Sequence, residues 1–187
     1  MSDTETIEGV RRAILQYGWS DLTMEQLAGE LGVSRMTLHR RGLTRAVIVG
    51  LLRARLAHEE REALWPALVA GGNGRERLEL ALRGQCAVAE RNLALAEALA
   101  GDARDTIYHD EGDGALTRSE FTDPLRRLLL DGAGDGSLAR QNDPDEVATV
   151  LYNLVGWTYH HLRVGHRWTA GRAEDAVVRI ALDGVAA

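Results

Sequence analysis

Residues 22–41, LTMEQLAGELGVSRMTLHRR, constrain the fold of this chain more than any other stretch. Thr23 and Gln26 have the spacing of a capping box, in which each side chain satisfies a free backbone N–H at the start of a helix. This spacing predicts a short helix over Met24–Leu31. Gly32 follows it, and glycine is the residue type best suited to the left-handed conformation that ends a helix.

A second short helix is predicted from about Arg35, because Ser34 is a good N-cap residue. Leu38 is the inward apolar anchor of this helix. Its remaining side chains face elsewhere: Arg35, Met36, His39 and Arg40. A helix, a glycine-containing turn and a polar, basic second helix form the helix-turn-helix pattern, whose second helix enters the major groove of DNA. The alternative interpretation is a plain helical hairpin with a solvated basic face.

The distribution of charge favours the DNA-binding interpretation. From residue 31 to residue 57 the chain has six arginines and no Asp or Glu. Residues 1–58 carry eight arginines against six carboxylates, whereas residues 59–187 carry 14 arginines against 22 carboxylates. A locally basic end on an acidic chain is typical of one DNA-contacting surface, because the acidic remainder would repel the phosphates.

Length and composition limit the class of protein. The 187 residues, 45% of them hydrophobic, suffice for a buried core in one sizeable domain or two small ones. There is neither a run of about 18 apolar residues nor an apolar leader, so we expect a cytoplasmic protein that does not enter a membrane. The single cysteine, Cys86, rules out an internal disulfide and a multi-cysteine zinc site.

No segment alternates apolar and polar residues over a convincing length, so the chain is predicted to be all-α. Periodicity and capping signals predict these further helices: residues 4–18, a long helix capped by Thr44 that kinks or ends at Pro66, residues 75–100, a helix from Asp123–Pro124 to Gly132, one from Asp143–Pro144 to Gly165, and residues 172–185. The acidic stretches 109–120 and 131–142 match a calcium loop only in part. They are interpreted as loops, and neither a metal nor a cofactor is expected.

These residues together resemble the TetR (tetracycline-repressor) family of bacterial transcription regulators. The resemblance is strongest from Val10 to Leu56, above all in LTMEQLAGELGVSRMTL and in Thr44–Arg45 at the start of a long fourth helix. It implies about nine helices, with a DNA-binding domain over residues 1–45 and a ligand-binding and dimerisation domain over residues 46–187. It also implies a homodimer joined through the last two helices, acting as a repressor that a small-molecule effector releases from a pseudo-palindromic double-stranded DNA operator.

The resemblance also implies roles for individual residues. It implies phosphate contacts by Thr23, Thr37, His39 and Arg45, and base-edge contacts by Arg35, Met36 and Arg40. Arg41 could make either kind of contact. Ser34, the N-cap of the second helix of the motif, belongs to the same DNA-binding surface. The candidates for the effector pocket are Cys86, Asn92, Phe121, Tyr152, Trp157 and Tyr159, with ordinary core packing or dimer contact as the alternative for each. The candidates for the dimer interface are Val147, Val150, Leu151, Leu154, His161, Val177 and Ile180.

The chain departs from the family pattern at two positions of the motif. His39 stands where the family usually has Tyr, and Gly42 stands where it commonly has Phe, which removes an apolar anchor next to the recognition helix. Two other functional classes compete. An enzyme is disfavoured, because His161 and His166 are five residues apart and do not share a helix face. A helical adaptor that no longer binds DNA is the alternative to a regulator.

Overall fold

The computed structural model describes residues 3–99, 107 and 117–187. Within these ranges the chain forms eight helices and no strand, so the all-α prediction is confirmed. The helices are α1 (Asp3–Tyr17), α2 (Met24–Glu30), α3 (Arg35–Arg40), α4 (Arg45–Val69), α5 (Gly74–Ala98), α6 (Ser119–Asp135), α7 (Pro144–Val164) and α8 (Ala170–Asp183). No helix of the described ranges combines the length and the apolar character that crossing a bilayer requires.

The described residues fall into two compact units. The first unit comprises those of Met1–Leu56 and Ala94–Ala115, and the second comprises those of Ala57–Leu93 and Leu116–Ala187. The first unit therefore contains α1, α2, α3, the beginning of α4 and the end of α5. The division at residue 45 into a DNA-binding and a ligand-binding domain concerns function, and it stays a prediction.

The first unit has a continuous apolar core beneath its two short helices. Ile14 of α1, Leu27 of α2 and Leu38 of α3 are fully buried in it. Trp19 and Leu22, from the segment between α1 and α2, are also buried in this core. Complete burial of one such aliphatic side chain contributes about 1.5–3 kcal/mol, so this shared core is what holds α2 and α3 in place.

The capping signals of the helix-turn-helix are confirmed. The Thr23 hydroxyl accepts the Gln26 N–H at 3.2 Å, and the Gln26 side chain accepts the Thr23 N–H at 2.8 Å. Gly32 has a φ of 63°, in the left-handed region. The Ser34 hydroxyl accepts the Thr37 N–H at 3.1 Å, which starts α3 where the sequence predicts it.

The end of α3 explains why this chain has glycine at position 42. Gly42 has a φ of 67°, and its N–H donates to the His39 carbonyl at 2.9 Å. The Leu43 N–H donates to the Leu38 carbonyl at 3.1 Å, and both leucines are buried in the same core. This is a Schellman motif, in which a left-handed glycine ends the helix and the following residue is the apolar contact. Leu43 therefore supplies the anchor that an aromatic residue at 42 would have supplied.

Gly42→Ala is expected to lower the free energy of unfolding by about 1–2 kcal/mol, because an L-residue is strained in the left-handed conformation. A matched control is Gly50→Ala, within α4, which should stabilise by about 0.5–1 kcal/mol. At both positions an added Cβ would meet no described atom within 4 Å, so sterics with neighbours do not distinguish them. Urea denaturation measures both changes, and equal effects would contradict this account of Gly42.

Two helices differ from the sequence prediction at their prolines. α4 continues through Pro66, so of the two outcomes expected at that residue, a kink or an end, the end is excluded; Leu64 and Ala67 are buried on either side of it. α6 begins at Ser119, so the expected start at Asp123–Pro124 is wrong. Both helices keep one buried face across the proline, and this packing outweighs the single backbone hydrogen bond that the proline removes.

The structure tests the predictions for the two acidic stretches and for the helix that follows them, with a different result for each. Residues 131–135 belong to α6, so the loop interpretation of 131–142 is wrong in that part. The other stretch, 109–120, lies largely outside the described residues. The predicted start of α7 is confirmed, since the Asp143 carboxylate accepts the Asp145 and Glu146 N–H groups at 3.0 Å.

Candidate DNA interface and effector site

The outward surface of α3 is basic. Leu38 points into the core of the first unit and is fully buried, whereas Met36 is 73% exposed. We call the outward set the α3 face: Arg35, Met36, His39, Arg40 and the C-cap residue Arg41, all of them exposed. The burial pattern follows from helical spacing, because Leu38 alone takes the inward position of this short helix.

The hydroxyl groups of the predicted DNA-binding residues Thr23, Ser34 and Thr37 take part in capping. Ser34 and Thr37 share a hydrogen bond of 2.9 Å between their hydroxyls, at the start of α3. The Thr23 hydroxyl donates to the Gln26 side chain at 2.8 Å while it accepts the Gln26 N–H. These three side chains are thus held in one orientation at the starts of α2 and α3. The contact of Thr23 and Thr37 with phosphate stays a prediction.

Arg45 has partners that the sequence does not indicate. Its guanidinium donates to the carbonyl oxygen of Trp19 at 2.9 Å and to that of Leu22 at 2.6 Å. The same group lies over the Trp19 ring, 4.7 Å from the centroid. The side chain expected to contact phosphate therefore binds the segment between α1 and α2.

Five of the six candidate pocket residues are buried in the second unit. Phe121 and Tyr152 are brought together, with ring centroids 5.6 Å apart. The sixth candidate, Trp157, is 39% exposed, and its indole N–H donates to the Asn153 side chain at 3.1 Å. Asn92 donates to the Glu59 carboxylate at 2.9 Å. Burial raises the pKa of the Cys86 thiol to about 12, so the thiol is neutral near pH 7.

Three side chains form a buried polar cluster: Glu60 of α4, Gln85 of α5 and Tyr152 of α7. The Gln85 amide donates to the Tyr152 carbonyl at 2.8 Å, and the Tyr152 hydroxyl donates to Glu60 Oε1 at 3.4 Å. Glu60 Oε2 and Gln85 Oε1 have no hydrogen-bond partner within the part of the chain that the structure describes. A buried polar atom left unpaired costs about 1–3 kcal/mol, so a bound molecule that forms hydrogen bonds with these two atoms would recover that cost.

Burial raises the pKa of Glu60 from its ordinary value of 4.5 to about 8, against the opposing effects of the Tyr152 hydrogen bond and the Arg91 charge. The carboxyl group is therefore largely protonated at pH 7. Sequence reasoning missed this residue. The available signal was its spacing, because Glu60 lies four residues after Leu56 and four before Leu64, on the apolar stripe of α4.

A second polar group connects α5 to α7. The Tyr159 hydroxyl donates to Glu90 at 2.8 Å, and the Arg163 guanidinium makes a bidentate contact with the same carboxylate at 2.7 and 2.8 Å. The Arg163 hydrogen bonds hold the pKa of Glu90 below its ordinary value. Tyr159, a candidate pocket residue, thus has a structural role in joining two helices.

The candidate dimer residues divide by exposure. Val150 and Ile180 are each 56% exposed, and His161 is exposed as well. Leu151 and Val177 are buried in the second unit and offer little surface to a partner. The two remaining candidates are half-buried: Val147 and Leu154. The homodimer stays a prediction.

By sequence, this chain matches neither a protein-family model nor a curated protein. Solved structures do match it. A transcriptional regulator of the TetR/AcrR family from Thermobifida fusca has a TM-score of 0.69 at 17% identity, and the match covers 97% of each chain. A TetR-like transcriptional regulator from Rhodococcus sp. RHA1 has a TM-score of 0.67 at 16% identity, covering 97% of this chain and 93% of that one.

A third match is AibR, whose structure was solved in complex with isovaleryl coenzyme A and operator DNA. Its TM-score is 0.68 at 19% identity, and the match covers 95% of this chain and 96% of AibR. These matches extend over almost the whole length of each chain, and at such identities they establish the fold. The chain therefore has the TetR-like, all-α fold that the sequence resemblance implied.

Proposed function

We propose that this chain is a transcription regulator that binds double-stranded DNA sequence-specifically through α3. The observation that carries the proposal is the α3 face, with three exposed arginines on one short helix and its C-cap. No carboxylate occurs from residue 31 to residue 57, so nothing in that sequence neutralises these charges. Arginine matches the paired acceptors of guanine, and such contacts specify sequence where phosphate contacts supply affinity.

The regulator acts as a homodimer in this proposal. The exposed Val150 on α7 and Ile180 on α8 support an interface there, because they are large apolar side chains on adjacent helices of one unit. Two copies related by a two-fold axis would bind a pseudo-palindrome whose half-sites lie about one helical turn, or a multiple of it, apart. The matching AibR structure contains operator DNA, which supports the same mode of action here.

A small-molecule effector releases the DNA in this proposal, so that the protein represses until the effector binds. The buried polar cluster supports an effector site in the second unit, because two of its oxygens lack a hydrogen-bond partner among the described residues. By thermodynamic linkage, the factor by which the effector prefers the state that does not bind DNA equals the factor by which the effector lowers the affinity for the operator. Titration of compounds that carry both hydrogen-bond donors and acceptors, and of acyl-coenzyme A, into the operator complex tests this part.

Selection from a random duplex library by the purified protein tests DNA binding. We expect enrichment of an inverted repeat whose affinity falls steeply with salt, by about 10³–10⁵ between 50 and 200 mM if six to ten phosphates are contacted. Enrichment without an inverted repeat would contradict the homodimer but keep DNA binding. No enrichment at either salt concentration would contradict the regulator and favour the helical adaptor.

A further inference from the structure

Arg45 is the first residue of α4, yet its side chain is directed to the segment between α1 and α2. The guanidinium makes hydrogen bonds to two backbone carbonyls there, those of Trp19 and Leu22, and a longer one of 3.4 Å to the Ser20 carbonyl. It also stacks on the Trp19 ring at 4.7 Å from the centroid. One side chain thus binds three of the four residues of the segment 19–22.

The same segment is attached on its other side to α5. The Trp19 N–H donates to the carbonyl of Ala98, the last residue of α5, at 3.1 Å. Leu95 and Leu99 belong to the buried core that also contains Trp19. The segment between α1 and α2 is therefore held between the beginning of α4 and the end of α5, within the first unit.

The position of α3 depends on this segment. Leu22 directly precedes Thr23, the capping residue of α2, and Leu22 itself is buried in the core. α2 packs against α3 through the core that Leu27 and Leu38 share. A shift of the segment would therefore move α2, and with it the α3 face, relative to the start of α4.

We propose that Arg45 is a positioning residue for the DNA-binding surface and that its guanidinium acts on the Trp19–Leu22 segment instead of on a phosphate. This inference rests on the proposed function for its effect on DNA, but the hydrogen bonds of Arg45 do not depend on it. The chemistry explains why arginine stands here. A planar guanidinium presents several N–H donors in fixed directions and stacks on an aromatic face, whereas a lysine ammonium is a compact point charge.

The test compares Arg45→Lys, which keeps the charge, with Arg45→Gln, which removes it. Both should lower Tm by about 3–10 °C, and both should lower operator affinity about tenfold at a temperature where each variant is fully folded. The slope of log affinity against log salt should stay at the wild-type value in both, because neither variant changes the number of phosphates that the protein binds. Arg61→Lys, at an exposed position of α4, is the matched control and should change neither Tm nor affinity.

Two results would overturn the proposal. If Arg45 binds a phosphate, Arg45→Lys should behave as wild type, while Arg45→Gln should reduce the salt slope by about 0.9 for each phosphate that is no longer neutralised. A merely stabilising role predicts a lower Tm in both variants with unchanged operator affinity of the folded protein.

Trp19 supplies a readout that needs no DNA. Combining Arg45→Gln with Trp19→Leu, or with Trp19→Met if the first variant does not fold, should lower Tm by clearly less than the sum of the two separate effects, because both changes remove the same stacking interaction. Additive effects would contradict an interaction between Arg45 and Trp19. If wild-type protein binds no DNA, the proposed function fails, while this pair of measurements still decides whether Arg45 holds the segment.

Discussion

The double variant Arg35→Ala, Arg40→Ala is expected to lose specific operator binding by at least about 100-fold while keeping its fold. Both side chains are exposed on α3, so the free energy of unfolding should change by no more than about 0.5 kcal/mol. A bidentate arginine–guanine pair discriminates by about 1–3 kcal/mol, and in a dimer the substitutions would remove such pairs from both half-sites. Two arginines in each of two half-sites make four such pairs, so even about 1 kcal/mol for each pair gives more than a 100-fold decrease in affinity.

Mobility-shift titration of the selected operator, with excess competitor DNA, measures this effect, and circular dichroism verifies the fold. The matched control is Arg61→Ala, Arg140→Ala, which removes the same charge from exposed positions of the second unit. We expect the control to keep nearly all of its affinity. If its affinity falls as much as that of the α3 variant, net charge governs binding, and the α3 face has no special role.

Glu60→Gln is expected to remove most of the pH dependence of stability near neutral pH. Burial raises the pKa of Glu60 to about 8 in the folded protein, from an ordinary value of 4.5. The folded protein thus holds a proton that the unfolded chain releases between these pH values. The free energy of unfolding should therefore fall as pH rises from about 4.5 to 8, by up to about 1.4 kcal/mol per pH unit, and level off above pH 8.

Urea denaturation from pH 5 to pH 9 tests this expectation. The other groups that act on the Glu60 carboxyl are Tyr152, Arg91 and Glu59, and Glu60→Gln leaves all three in place. The lowered pKa of Glu90 acts below about pH 4.5, outside this window. Glu62→Gln, an exposed carboxyl on the same helix, is the control and should keep the wild-type slope. A slope that persists unchanged in Glu60→Gln would contradict the buried, protonated carboxyl.

Local spacings were sufficient for the helix-turn-helix. The Thr23–Gln26 capping box, the Ser34 cap and the Asp143 cap each join groups two or three residues apart. Such hydrogen bonds form within one turn of chain, so the residue types and their spacing are enough to predict them. The inward direction of Leu38 follows from helical periodicity in the same way.

Contacts between distant residues were not predictable from spacing. Arg45 lies 26 residues from Trp19, and Tyr152 lies 92 residues from Glu60. The end of α3 also could not be predicted from spacing. Gly42 suggested that an apolar anchor is missing, but Leu43 provides that anchor because it is buried in the same core as Leu38.

The sequence by itself determined that this chain is all-α, where most of its helices begin, and which residues α3 presents on its outer side. Tertiary structure alone decided that α4 continues past Pro66, that the Arg45 guanidinium has carbonyl partners, and that Glu60 is buried next to Tyr152. The physical reason is the range of the interactions. Caps and periodicity act within a few residues, whereas burial and long-range hydrogen bonds exist only after helices far apart in the chain have packed together.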